Sequence, residues 1–148
     1  MEEAALHWDA SLFIDHASIQ LRLPRLTTAT AQTFFHRFFA LQSFKKHSSF
    51  EVAVTAIFLA SKVEESPGLK RSSWLETVII TCYRLWHSHA NVSFPCDLRV
   101  ESKEYEELRQ KVLRSERILL HTISFDLRLD HPYKFLIDTV KYIGIQGN

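Results

Sequence analysis

Two charged side chains in this sequence stand where a globular protein would place apolar ones. Lys62 follows Phe58 and Leu59 at i−4 and i−3, so it extends an apolar stripe. Glu116 has Val112 and Leu113 behind it and Leu119 and Leu120 ahead of it at the same helical spacings. A charge centred on an apolar face is costly unless it is paired. The two are opposite in sign and far apart in the chain. One account puts both on an exposed apolar patch, where a few placed polar groups reach the backbone of another protein. The other has Lys62 snorkelling from a helix end and Glu116 simply facing water. The pattern alone leaves both open.

Other reactive side chains make a weaker case. Cys82, His87, His89 and Cys96 are of the right types to hold zinc. Their spacing follows no familiar zinc pattern, and Cys82 fits the apolar face of its own helix. A core cysteine with loop histidines accounts for them. His36, His121 and His131 read as packing or capping residues. No serine–histidine–acid order or carboxylate pair stands out, and with three glycines in the chain a phosphate-binding loop is nearly excluded. No catalytic residue, metal or cofactor is therefore expected, and the chain is not read as an enzyme.

Composition narrows the remaining classes. At 148 residues the chain has the size of one domain, long enough to bury a core without staples. Hydrophobic residues at 46% and charged residues at 24% describe a globular rather than a disordered sequence. Three glycines and four prolines are few, which favours long helices over a sandwich or barrel. A formal net charge of +1 gives no bulk attraction to nucleic acid or an anionic membrane. Two cysteines do not make a disulfide framework, and a reducing compartment fits them best. The N-terminal region lacks the basic-then-apolar order of a secretory signal. No apolar run approaches the ~20 residues needed to span a bilayer.

The charged pair must be carried by helices. The central one runs from Ser48 to Ser66-Pro67-Gly68. Ser48 and Glu51 have the form of a capping box, and the proline stops the helix. Val52 to Ala60 is apolar but for Thr55, so this helix is expected to be buried all round. Ala53, Ala56 and Ala60 share a face and let a neighbour come close. Before it, a short helix from about Ser11 is expected, then a break at Leu23-Pro24 with Thr27 or Thr28 as a cap. Ala29 to Phe44 follows, its face built on Phe34, Phe35, Phe38 and Phe39, with Lys45-Lys46-His47 suited to its C-terminal dipole. After the central helix come Trp74 to His87, capped by Ser72 or Ser73, a loop over Ser88 to Ser102, and Lys103 to Thr122 with a seam of Tyr105, Leu108, Val112 and Leu119. An extended link over Ser124 to Leu129 leads to a last helix opened by Pro132, with Phe135, Leu136, Val140 and Ile143 inward and Gly144 as its stop.

Several of these stretches resemble one family. Ala-Ile-Phe-Leu-Ala-Ser before Lys62-Val63-Glu64-Glu65-Ser66-Pro67 resembles the central helix of the cyclin box. His36-Arg37-Phe38-Phe39, with Ser43-Phe44 downstream, resembles the box's first-helix motif. Glu116 to Leu127, followed by Asp130-His131-Pro132-Tyr133, resembles its fifth helix and exit. The His-Pro-Tyr element and the Glu-Glu-Ser-Pro ending are similar to the transcription-type branch, the cyclin K, T and L group. The likeness runs from about Leu21 to Ile143.

The resemblance implies an all-α fold: one five-helix bundle with a central buried helix and an extra N-terminal segment, residues 1–23, ahead of a cyclin box at residues 24–145. It implies a regulatory subunit that forms a heterodimer with a cyclin-dependent kinase. Lysine and glutamate matching Lys62 and Glu116 would contact the segment around the kinase C-helix, with Leu59, Val63, Leu120, Phe125 and Leu127 as the apolar surround. Docking would hold that helix inward and activate the kinase allosterically. A nuclear location and a kinase acting on the C-terminal domain of RNA polymerase II follow from the transcription-type likeness. Departures are also visible. The chain stops at Asn148 with no room for a second cyclin repeat. The N-terminal region lacks the arginine–tryptophan pattern of cell-cycle cyclins, so their substrate groove is not implied. The Trp86 to Ser102 stretch is longer than expected. The competing readings are a scaffold that binds without activating and a nucleic-acid module using Lys45-Lys46-His47 and Lys70-Arg71. Short basic runs on a near-neutral chain speak for solvated helix ends, so direct nucleic-acid binding is not expected.

Overall fold

The computed structural model describes residues 2–64, 73–89, 98–124 and 126–127. They form five helices: α1 (Glu2–Gln20), α2 (Arg25–Leu41), α3 (Ser49–Val63), α4 (Trp74–His89) and α5 (Lys103–Thr122). No strand occurs among the described residues. The all-α bundle has α3 at its centre, in contact with each of the other four helices. Every residue from Val52 to Ser61 is buried, as an all-round apolar helix requires. The polar exceptions are satisfied within the helix: Thr55 Oγ1 donates to the Glu51 carbonyl at 2.6 Å and Ser61 Oγ to the Ile57 carbonyl at 2.8 Å. No helix among the described residues is long and apolar enough to cross a membrane.

Helix α1 is longer than expected and is built into the bundle. Ala10, Phe13, Ile14 and Ala17 form its buried face at i, i+3, i+4 and i+7. Phe13 meets the Trp86 ring of α4 edge-on at 5.2 Å and the Phe50 ring at 6.1 Å. The stretch resembling the box's first-helix motif therefore lies on the second helix in chain order, α2. The end of α1 has an unusual stop. Leu23 N–H donates to the Ser18 carbonyl and Arg22 N–H to the Ile19 carbonyl, while Arg22 sits at φ 57°. This is a Schellman closure with arginine where glycine is usual. The left-handed conformation costs a non-glycine residue about 1 kcal/mol.

Helix α2 starts four residues before the expected Ala29. Pro24, extended, occupies the cap position, and no side chain caps the helix. Thr27 and Thr28 lie inside it and are buried. The hydroxyls of Thr28 and Thr33 donate back to the carbonyls of Pro24 and Ala29, and Thr30 Oγ1 lies 2.9 Å from the Leu26 carbonyl. Back-bonding of this kind lets β-branched hydroxyl residues sit within a helix instead of capping it. The other end stops at Leu41, and its last turn holds no basic residue; Lys45 and Lys46 belong to the turn beyond. Phe44, expected in the helix, folds back to stack on Phe39 with centroids 3.9 Å apart and planes at 6°.

The start of α3 is half the expected capping box. Ser48 Oγ accepts from Glu51 N–H at 3.5 Å, but the Glu51 carboxylate points to Lys111 Nζ on α5, 3.9 Å away. Helix α4 buries Trp74, Val78, Ile79 and Cys82 on one side. Helix α5 keeps the expected limits, capped by Ser102, whose Oγ accepts from Tyr105 N–H at 3.2 Å. Its seam buries Tyr105, Val112 and Leu119. The Ser66-Pro67-Gly68 stop, most of the loop before α5, and the helix expected from Pro132 lie outside the described residues.

The alanine face of α3 sets how closely its neighbours approach, since Ala53, Ala56 and Ala60 are all fully buried. Ala56→Leu should destabilise the chain by about 1–3 kcal/mol through overpacking, measured by chemical denaturation. Wild-type stability in that variant would show an unfilled space beside α3.

Candidate protein-docking surface

The last turn of α3 is where that enclosed helix reaches the surface. Lys62 is in this turn, and its ammonium lies 2.9 Å from Glu116 Oε1 and 3.1 Å from Oε2. Residues 54 positions apart are thus joined across the α3–α5 contact. The Lys62 side chain keeps 40% of its exposure and the Glu116 side chain 17%. Glu116 therefore does not simply face water; it is largely covered and paired. Lys62 Nζ also lies 4.3 Å from the centroid of the Phe58 ring, one turn back on α3. The i, i+4 spacing of Phe58 and Lys62 was the signal for that contact.

The pair still has bonding capacity. An ammonium carries three donors, and two are directed at the carboxylate. A carboxylate accepts about four hydrogen bonds, so lone pairs remain as well. Such a pair offers a donor and an acceptor side by side, which suits a peptide backbone. The expected apolar surround divides by depth. Val63 and Leu120 are half-buried beside the two charges, at i+1 from Lys62 and i+4 from Glu116. Leu59 is only 4% exposed and supports the surface from beneath. Leu127 is half-buried against the core beyond the end of α5. Phe125 lies outside the described residues.

Two features sequence reasoning missed reach this region from α2. Thr30 Oγ1 donates to Glu64 Oε1 at 2.8 Å, and Arg37 Nη1 donates to the Asp126 carbonyl at 3.2 Å. Nothing in local sequence announces either, because the partners are 34 and 89 residues away. At the opposite end of α5, burial raises the Tyr105 phenol above its ordinary value, and the negative charge of Glu76 adds to this. Cys82 is fully buried, and desolvation pushes its thiol far above the ordinary range. It faces the core from α4 and is not oriented as a ligand. Among the described residues no group of three or more histidines, cysteines or acids could hold a metal ion.

The comparisons with known proteins bear on the family and the fold. The family described as Cyclin, N-terminal domain, matches residues 9–128. The chain belongs to the cyclin family. It is 34% identical to Cyclin-T1-3 of Oryza sativa subsp. japonica over 99% of this chain and 29% of that protein. It is 35% identical to Cyclin pch1 of Schizosaccharomyces pombe over 87% of this chain and 35% of that protein. Cyclin-L1-1 of Oryza sativa subsp. japonica is 38% identical over 90% of this chain and 30% of its own length. These T- and L-type relatives place the cyclin on the transcription-type branch. The chain spans about a third of the length of the curated relatives it matches.

Two measurements check the site as described. Cys82 should resist a water-soluble thiol reagent in the native cyclin and react at once after denaturation; rapid native modification would contradict its core position. The Lys62–Glu116 coupling, taken from a double-mutant cycle on stability, should stay below about 1 kcal/mol and shrink with added salt, because Lys62 is well exposed.

Proposed function

We propose that this cyclin is the regulatory subunit of a cyclin-dependent serine/threonine kinase and docks on it through the α3–α5 junction. The observation that carries the reading is the Lys62–Glu116 pair. It joins two helices where the enclosed α3 surfaces at its C-terminal end, with Val63 and Leu120 beside it. Such a surface combines apolar area with a donor and an acceptor held in register.

The mechanism follows from differential affinity. The cyclin supplies no catalytic group. It binds the kinase more tightly when the kinase C-helix is swung inward, and so shifts the population toward that state. In that position the C-helix glutamate pairs with the lysine that orients ATP, and the activation loop can open. Apolar contact from Val63, Leu120, Phe125 and Leu127, backed by Leu59, would provide most of the affinity, while Lys62 and Glu116 fix the register. The T- and L-type relatives support the transcription-type branch, and on that branch we read the partner as a nuclear kinase that acts on the C-terminal domain of RNA polymerase II.

The test is capture of a purified transcription-type cyclin-dependent kinase. The Lys62→Ala/Glu116→Ala double variant should bind at least about tenfold more weakly than wild type while keeping its helical circular dichroism. Unchanged binding by the folded double variant would overturn the assignment. Wild-type binding with no gain in kinase activity would identify a scaffold in place of an activator.

A further inference from the structure

The docking surface is assembled from the ends of two elements: the last turn of α3, and α5 with the segment that leaves it. Ends of helices fray, because their terminal carbonyls lack intrahelical partners. A surface that must present Lys62 and Glu116 in one register needs both ends held. The end of α3 is electrostatically awkward as well. Its cap residue is Glu64, a carboxylate at the negative end of the helix dipole. Left to itself, that side chain would favour unwinding of the turn that carries Lys62 and Val63.

Helix α2 holds both ends. Thr30 is fully buried, and its hydroxyl donates to Glu64 Oε1 at 2.8 Å. The same hydroxyl also lies 2.9 Å from the Leu26 carbonyl, so its single proton is shared between that carbonyl and the Glu64 carboxylate. A hydrogen bond to a carboxylate from a buried hydroxyl is of the strong, charge-assisted kind. Seven residues on, and so on the same face of α2, Arg37 donates to the Asp126 carbonyl at 3.2 Å. That bond grips the chain just after Ser124, which stands at φ 56° where α5 stops. Asp126 is the residue before Leu127.

We propose that α2 is the positioning element of the docking surface, with Thr30 holding the last turn of α3 through Glu64 and Arg37 holding the exit of α5 through the Asp126 carbonyl. The inference rests on the docking reading above, and neither residue needs to touch the kinase. Their effect reaches the partner through the placement of Lys62, Val63 and Leu127.

Two readouts separate positioning from general stability. In the first, hydrogen exchange is followed on the isolated chain. Thr30→Val, which keeps the shape and removes the hydroxyl, should speed exchange at the Glu64 amide about tenfold and leave the Ile57–Leu59 amides unchanged. Arg37→Met, which keeps the alkyl stem, should do the same at Asp126. Unchanged exchange at these amides, or equal acceleration along all of α3, would overturn the proposal. In the second, affinity for a purified transcription-type cyclin-dependent kinase is measured. Thr30→Val should weaken binding about tenfold, and Thr30→Ser should restore it. Wild-type affinity in Thr30→Val, with Lys62→Ala/Glu116→Ala still impaired, would overturn the positioning role and leave the docking reading standing. Wild-type affinity in Lys62→Ala/Glu116→Ala would overturn the docking reading itself.

Discussion

A helix with no polar side must be enclosed on every side, and that constraint organises this cyclin. From Val52 to Ser61 every residue of α3 is buried. Enclosing it takes four neighbours, and the small residues Ala53, Ala56 and Ala60 let them approach closely. The middle of such a helix cannot take part in recognition. Only its ends can: the first turn, capped by Ser48, and the last, which carries Lys62. That Lys62 stands at the surface is thus a consequence of core packing: it follows the last buried residue of the helix, Ser61.

The ion pair at that turn illustrates the difference between stability and specificity. Lys62 retains 40% exposure, so its attraction to Glu116 is screened by water and contributes little to folding. Glu116, at 17%, has given up more of its hydration, and pairing offsets that cost. The ammonium is further placed by the Phe58 ring below it. What the arrangement secures is direction. Two long side chains that would otherwise sample many rotamers are held with their remaining donor and acceptor side by side.

The legible parts of the structure were those specified locally. The limits of α5 could be read because Ser102 caps it and Tyr105, Val112 and Leu119 repeat at seven. The buried body of α3 could be read because its composition left no alternative. The misses have physical causes. The face of α1 was legible in Phe13, Ile14 and Ala17, but its start was set too late, since a small residue such as Ala10 carries little periodic signal. Its end was legible from Leu23-Pro24, although Arg22 closes it in a left-handed conformation in place of the usual glycine. Thr27 and Thr28 look like caps in sequence but are buried helix interior in the fold, with Thr28 bonded back to the Pro24 carbonyl. In the site, the apposition of Lys62 and Glu116 could be suspected because each charge was misplaced on its own helix. Thr30 and Arg37 gave no such sign, since a threonine or an arginine on a helix is ordinary until its distant partner is known.

The links from α2 bear on how a small surface could act on a larger partner. In the proposed mechanism the cyclin must stabilise one kinase conformation against another, and it can do so only by its difference in affinity for the two. A compliant surface would adjust to both and discriminate poorly. A surface held from behind loses less freedom on binding and fits one conformation better than the other. The Phe34, Phe35 and Phe38 rings anchor α2 in the core, and from that anchored position Thr30 and Arg37 reach the two elements that form the surface. Rigidity generated by aromatic packing is in this way delivered to the α3–α5 junction, where selection between kinase conformations would take place.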